Sequence, residues 1–223
     1  MPEINYLLLL LIVPAALWCI IAAAGSVPVL SLHKAELMPL PEDQARRILT
    51  NVLLKTPDFD SDWLRDEGFR ALGVYRASGL LGNPKIVAWE HQQEATWLCG
   101  YLLTDESCQM DLVSLLGDAT LTTGTTKDGH LFPADTGRFT QTFGLNSLRE
   151  LLVHHRQALR HLAATRGLDV DDRAPAFSEA FASALRSEGE FIRSILLWPV
   201  RIPWWYFTRR RSRHDRTIEQ LYG

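Results

Sequence analysis

Cysteine and histidine are the residues of this sequence that could carry covalent or acid–base chemistry. Cys99 lies in the apolar stretch 95–103, and His91 and His130 are the histidines that flank it in the chain. A thiol nucleophile needs a base within hydrogen-bond reach. A cysteine inside an apolar strand is usually protonated and inert. The sequence therefore favours a structural Cys99, with a membrane-associated hydrolase that uses Cys99 or a histidine–aspartate group near His130 as an alternative.

Three further histidines fall in one predicted helix. His154 and His161 are seven residues apart and share a helix face, but two turns of helix separate them too widely to bind one metal ion. His155 lies on the apolar stripe of the same helix. The sequence contains neither HExxH nor a CxxC pair. We therefore predict no catalytic residue, no metal site and no cofactor.

A polar stretch near Gly124 is the third candidate. Asp128, His130 and Asp135 follow it, and a loop of this kind at a sheet edge could bind a ligand or an ion. Threonine is also favoured on the solvent face of a strand, so the sequence favours a structural role. The threonines concerned are Thr120, Thr122, Thr123, Thr125 and Thr126.

The C-terminal segment combines aromatic residues with arginines. Residues 194–207 are apolar, but they are too short and too interrupted by prolines to cross a bilayer. Tryptophan and tyrosine favour the headgroup level, and each arginine near anionic lipid contributes about 1 kcal/mol. The sequence predicts an interfacial segment, with packing against the chain's own domain or docking onto an integral membrane protein as alternatives. The predicted binding residues are Trp198, Trp204, Trp205, Tyr206, Phe207, Arg209, Arg210, Arg211, Arg213 and Arg216.

The N-terminus contains an uncharged run from Tyr6 to Ala24. At 1.5 Å per residue this run is long enough for a single transmembrane helix. Ala22 and Ala24 leave cleavage as a signal peptide open, although the absence of a basic residue before the run favours an anchor. Because the arginines lie after the domain, the positive-inside rule places the domain on the cytoplasmic side.

Composition limits the classes of function. The chain has 223 residues with 23 basic and 26 acidic side chains, and this balance argues against nucleic acid as a partner. Three cysteines, one of them in the N-terminal run, favour reduced thiols, with a Cys99–Cys108 pair left open.

The elements that must position these residues form an α+β pattern. From Phe69 to Phe143 the apolar period is close to two, and short loops connect the segments, which predicts an antiparallel meander of about six strands with 95–103 at its centre. Two short helices precede it. A helix over 147–165 begins at Ser147 with a capping-box pattern and should cover one face. A long amphipathic helix follows from Pro175.

These patterns predict four regions: residues 1–31 as anchor and start of a connector, 32–68 as connector and two short helices, 69–167 as the sheet with its covering helix, and 168–223 as linker, C-terminal helix and interfacial tail. The function they favour is a membrane-anchored, non-enzymatic interaction or accessory module. Its partners would be membrane lipid and a membrane protein, docked on the sheet's open face, the threonine loop or the C-terminal aromatics. The alternative of another class is a lipid or small-molecule carrier.

Overall fold

A computed structural model describes residues 16–22, 26–27, 29–56, 59–80, 82–104, 107–125, 136–145, 147–172 and 175–223. The predicted membrane span from Tyr6 to Ala24 lies largely outside these residues. None of the helices within them is long and apolar enough to cross a membrane, so the span gains no support here. The architecture is α+β, as predicted.

One seven-stranded sheet forms the centre of the described part of the chain, and its strands lie side by side in sequence order. The apolar stretch around Cys99 becomes β4, the middle strand, as predicted. It is apolar on both faces and therefore needs cover on both. The strands are β1 (Glu36–Pro39), β2 (Phe69–Ser78), β3 (Lys85–His91), β4 (Thr96–Thr104), β5 (Ser107–Leu116), β6 (Ala119–Gly124) and β7 (Arg138–Thr142).

Both edges of the sheet correct the predicted meander. At one edge, β7 pairs with β6 in parallel, from Thr120 opposite Arg138 to Gly124 opposite Thr142, so the sheet is mixed. A parallel pair needs a connection of about a dozen residues or more, and the connection from β6 to β7 has that length. At the other edge, β1 pairs antiparallel with β2 inside a stretch that we predicted to be a connector. Pro39 is tolerated there because an edge strand leaves one side unpaired.

The α-helices that follow β1 in the described ranges are α1 (Glu42–Lys55), α2 (Ser61–Asp66), α3 (Leu148–Arg166), α4 (Phe177–Ser194), α5 (Trp198–Thr208) and α6 (Ile218–Tyr222); residues 16–22, 26–27 and 29–31 are also helical. The predicted ends of α3 are confirmed. The hydroxyl of Ser147 accepts a hydrogen bond from the backbone N–H of Glu150, and Gly167 ends the helix in the left-handed conformation at φ 64°. Both hydrogen bonds of a capping box are present at the start of α6, between Thr217 and Gln220. Our predictions from the sequence do not include this box.

The predicted long C-terminal helix is two helices. The chain leaves α4 at Ile195 and turns through Leu197, whose φ of 57° is left-handed, before α5 begins. Pro199 occupies the first turn of α5, where the lack of an N–H costs little. Pro203 lies inside the helix and is buried, so tertiary packing offsets the backbone hydrogen bond that it removes.

The two faces of the sheet carry different helices. Helices α1, α2 and α3 cover one face, where Leu98 of β4 and Leu112 of β5 pack under Leu151. Helix α4 covers the other face through Phe177, which contacts Trp97 and Tyr75. The face that we expected to be open to a partner is therefore largely occupied by the chain itself.

Helix α4 touches both edges of the sheet. Leu37 of β1 belongs to the apolar cluster around Phe177. From the opposite edge, Arg138 of β7 forms an ion pair with Glu188 and donates a hydrogen bond to the hydroxyl of Ser187 at 2.8 Å. One helix therefore reaches from one edge strand of the sheet to the other.

Candidate membrane-facing surface

The N-terminal segment (residues 16–34) and α5 meet in one apolar cluster. Val29 and Leu32 pack with Ile192 near the end of α4 and with Ile202 of α5, and these side chains are all buried. Gly189 allows the close approach, since a Cβ atom there would lie 3.2 Å from the Cβ of Leu32. Val29 and Leu32, which follow the predicted anchor run, and the tail that was predicted to touch the membrane are therefore neighbours.

Helix α5 is apolar on both sides, although only one side is buried. Ile202 and Pro203 face the protein. On the outer side, Trp204 is 48% exposed and Phe207 is 60% exposed. Trp198, Trp205 and Tyr206 are half-buried between the two sides. An apolar outer face is what a helix needs to lie at a membrane or partner surface.

Exposed large hydrophobic side chains concentrate on these two segments. Among the described residues only Met38 and Val153 are exposed elsewhere. The others lie on the N-terminal segment, on α5 or on the turn before it: Leu17, Ile20, Val27, Leu30, Leu196, Leu197, Val200, Trp204 and Phe207. Single exposed hydrophobics are ordinary on a soluble surface, but a grouped set marks an interaction surface.

The predicted arginines divide into two groups. Arg209, Arg211 and Arg216 are exposed, and Arg209 also lies over the ring of Trp204, 5.7 Å from its centroid. Arg210 and Arg213 are half-buried and stack on rings of the protein, 3.9 Å from the centroid of Tyr206 and 5.1 Å from that of Tyr222. Arg210 and Arg213 thus contribute to packing within the tail, because a guanidinium over an aromatic face is attracted to it.

The last part of the tail is attached to the domain. Nδ1 of His214 lies 3.1 Å from the hydroxyl of Thr142, and the carboxylate of Asp215 accepts a hydrogen bond from the backbone N–H of Gly144 at 2.9 Å. The next helix, α6, buries Ile218 between β6, β7 and α3. Packing of the tail against its own domain, one of the predicted alternatives, is therefore found for residues 214–223.

An open groove lies between the end of α4 and α5. Its volume is about 730 Å³. Apolar side chains and three arginines line it, and no acidic side chain is among its lining residues. The lining residues are Phe191, Ser194, Ile195, Leu196, Arg201, Trp204, Trp205, Arg209, Ser212 and Arg213.

Cys99 is poorly placed for nucleophilic catalysis with His91. Its side chain is buried and shares a face with Asp111, its partner on β5, whereas His91 lies on the opposite face with Phe69 and Trp89. Burial raises the pKa of the Cys99 thiol, which keeps it protonated. No disulfide joins Cys99 to Cys108, the pairing that the sequence left open.

His155 belongs to a buried chain of hydrogen bonds. Its Nε2 lies 2.8 Å from the hydroxyl of Ser114, and its Nδ1 lies 2.8 Å from the hydroxyl of Thr123. Ser114 bonds in turn to Thr96 at 2.6 Å, and Thr123 accepts a hydrogen bond from Gln141 at 3.0 Å. A serine beside a histidine resembles catalytic machinery, but all of these side chains are buried and no substrate can reach them. Burial lowers the pKa of His155 to about 3, so the imidazole is neutral.

Asp111 carries a buried carboxylate oxygen that the sequence did not reveal. The residue as a whole is partly exposed, but its Oδ1 is buried, lacks a hydrogen-bond partner among the described residues and lies against Gly124. Burial raises the pKa of the Asp111 carboxyl to about 7. In the sequence Asp111 has the place of an ordinary polar residue on an alternating strand, so no local signal identified it.

The remaining candidates are placed as follows. Thr123 is a buried member of the His155 chain, and the hydroxyl of Thr125 accepts a hydrogen bond from the backbone N–H of Met110, which supports the structural reading of these threonines. Thr126, Asp128, His130 and Asp135 lie outside the described residues. Within the described ranges no group of histidine, cysteine or acidic side chains could hold a metal ion.

Sequence reasoning missed Arg201 as a member of the groove. Arg201 is absent from the binding residues that the sequence predicts. Its spacing of three residues from Trp204 places both on one helix face, and this spacing was the available signal.

Comparisons with protein-family models, with curated proteins and with solved structures find no match for this chain.

Proposed function

We propose that this protein is a membrane-tethered, non-enzymatic interaction module. Its N-terminal apolar run serves as the anchor, α5 rests on the membrane surface, and the domain lies on the cytoplasmic side. The observation that carries the proposal is the grouping of exposed hydrophobic side chains on the N-terminal segment and α5, which pack against each other. A surface of this kind loses unfavourable contact with water when lipid or a membrane protein covers it.

The surroundings of the reactive side chains support a non-enzymatic role. Cys99 is buried with its thiol protonated, and His155 is enclosed by partners that satisfy both ring nitrogens. A carrier that encloses its ligand between the sheet and α4 is disfavoured, because Phe177 and Trp97 pack together in that space. The exposed residues of α5 are therefore the best candidates for contact with a partner.

The membrane placement is tested with probes at two positions of equal exposure. Trp204 of α5 and Val153 of α3 are 48% and 53% exposed. In the full chain with Cys19 and Cys108 replaced by serine, Trp204→Cys and Val153→Cys are each labelled with an environment-sensitive fluorophore and reconstituted into liposomes. We expect blue-shifted emission and quenching by brominated lipid at position 204 only. The same aqueous emission at both positions would contradict the placement of α5.

The interaction role is tested by purification of the tagged full chain in mild detergent. We expect a partner protein in fixed stoichiometry, lost with Phe207→Asp and retained with the control Val153→Asp, since both changes add one charge at an exposed hydrophobic position. Repeated recovery of the wild-type chain alone would refute the interaction module.

A further inference from the structure

The groove between α4 and α5 carries positive charge that no acidic side chain among its lining residues neutralises. Arg201, Arg209 and Arg213 line it, and none of the three forms an ion pair with a described residue. Nη2 of Arg213 is buried and lacks a hydrogen-bond partner within the described part of the chain. Buried donors are normally satisfied, so an orphan donor at the edge of a groove points to an absent acceptor.

Other charges around the groove do not remove this imbalance. Helix α4 ends at Ser194, and its C-terminal dipole places roughly half a negative charge there. Three full positive charges outweigh it. The hydroxyls of Ser194 and Ser212 already donate to the backbone carbonyls of Phe191 and Arg209. The free donors in the groove are therefore guanidinium groups, which match the oxygen geometry of a phosphate.

The groove is also lined by apolar side chains, some of which are exposed. Phe191 and Ile195 are among them, as are Leu196, which is 76% exposed, and Trp204, which is 48% exposed. A free inorganic anion has no hydrocarbon part that could pack against these apolar side chains. A molecule that joins a phosphate to a hydrocarbon chain would satisfy both the arginines and the apolar side chains.

We propose that this groove binds the headgroup phosphate of one anionic phospholipid, with Arg201, Arg209 and Arg213 on the phosphate and the start of an acyl chain along Leu196 and Trp204. The proposal rests on the membrane placement of α5 and deepens it, because it replaces diffuse attraction between arginines and lipid by one defined site. Phosphate is the chemistry that the groove recognises, and the experiment separates a lipid source from a free one.

The test uses the full chain in neutral detergent, with native mass spectrometry to count bound lipid. Short-chain phosphatidylglycerol should give a complex with one bound lipid. Phosphatidylcholine, whose choline adds a positive charge, should bind at least about tenfold more weakly. Arg201→Gln with Arg209→Gln should weaken phosphatidylglycerol binding at least tenfold, since the loss of one charge-assisted hydrogen bond alone weakens binding by about tenfold or more. The control is Arg211→Gln with Arg216→Gln, which removes the same charge from exposed positions outside the groove and should change binding less than twofold.

Two results would overturn the proposal. Equal weakening by the groove and control variants would mean diffuse electrostatics without a site. Displacement of the lipid by inorganic phosphate at equal concentration would mean that the apolar side chains contribute nothing and that the groove accepts free phosphate. Either result leaves the fluorophore test at position 204 unaffected, so failure of the site and failure of the membrane placement can be told apart.

Discussion

His155 gives the sharpest test of the buried network, because its protonation couples folding to pH. In the folded chain its pKa is lowered from 6.5 to about 3 by burial, while an unfolded chain has the ordinary value. Between these two values the unfolded state binds a proton that the folded state does not. The contribution to stability is therefore fully present above pH 6.5 and is lost as the pH falls.

The magnitude follows from the shift. A difference of about 3.5 pKa units, at about 1.4 kcal/mol per unit, amounts to about 5 kcal/mol across the window. Within it, the free energy of unfolding should lose about 1.4 kcal/mol per pH unit on account of His155 alone. His155→Gln removes the titrating group and keeps a donor and an acceptor for Ser114 and Thr123. Its slope should therefore differ from that of the wild type by that amount.

The assay is urea unfolding of the full chain in neutral detergent at several pH values from 4 to 7.5, for wild type and His155→Gln. The difference between the two curves isolates His155 from the other titrating groups. Parallel curves would refute the coupling. So would an NMR titration in which the His155 ring takes up a proton near pH 6.5 in the folded protein.

Three further predictions concern the same domain. The raised pKa of Asp111 makes the folded state hold a proton between pH 3.8 and about 7, so the free energy of unfolding falls as the pH rises through that range. Asp111→Asn should remove this dependence on pH, which is opposite in sign to that of His155. The same urea unfolding series measures it. Gly124→Ala should destabilise the fold by about 1–3 kcal/mol, since the added Cβ would lie 2.6 Å from Oδ1 of Asp111; an equal loss in an Asp111→Ala background would refute that cause. Ser147→Ala should cost about 1 kcal/mol through loss of the α3 cap, measured by thermal unfolding.

The sequence predicted those parts of the fold that local patterns encode. The centre of the sheet was readable because 95–103 lacks a polar face, and β4 lies there. The ends of α3 were readable because Ser147 and Gly167 have specific backbone roles. His155 was correctly placed on the buried stripe, although its hydrogen bonds to β5 and β6 join residues far apart in the chain.

The direction of a strand and the neighbours of a helix were not readable. Alternation places the side chains of β7 on two faces but is the same for parallel and antiparallel pairing. β1 was missed because four mostly exposed residues leave almost no apolar pattern. In the tail, the apolar run did not reveal that Ile202 turns inward while Phe207 turns outward. That division depends on the turn at Leu197 and on the cluster with Val29 and Leu32.

Helix α4 connects the sheet to the segments that carry the exposed hydrophobic side chains. Its first residue, Phe177, packs on Trp97 and Tyr75 of the sheet, whereas Ile192 near its end packs on Val29, Leu32 and Ile202. One rigid helix of 18 residues thus joins the sheet to both segments that carry the exposed hydrophobics. If α5 rests on the bilayer as proposed, the orientation of the sheet relative to the membrane is set by side-chain packing on α4 and not by the length of any linker. Gly189 is one position where this packing is sensitive, because a Cβ there would lie 3.2 Å from the Cβ of Leu32, so that the contact between α4 and Leu32 would have to shift by a few tenths of an ångström.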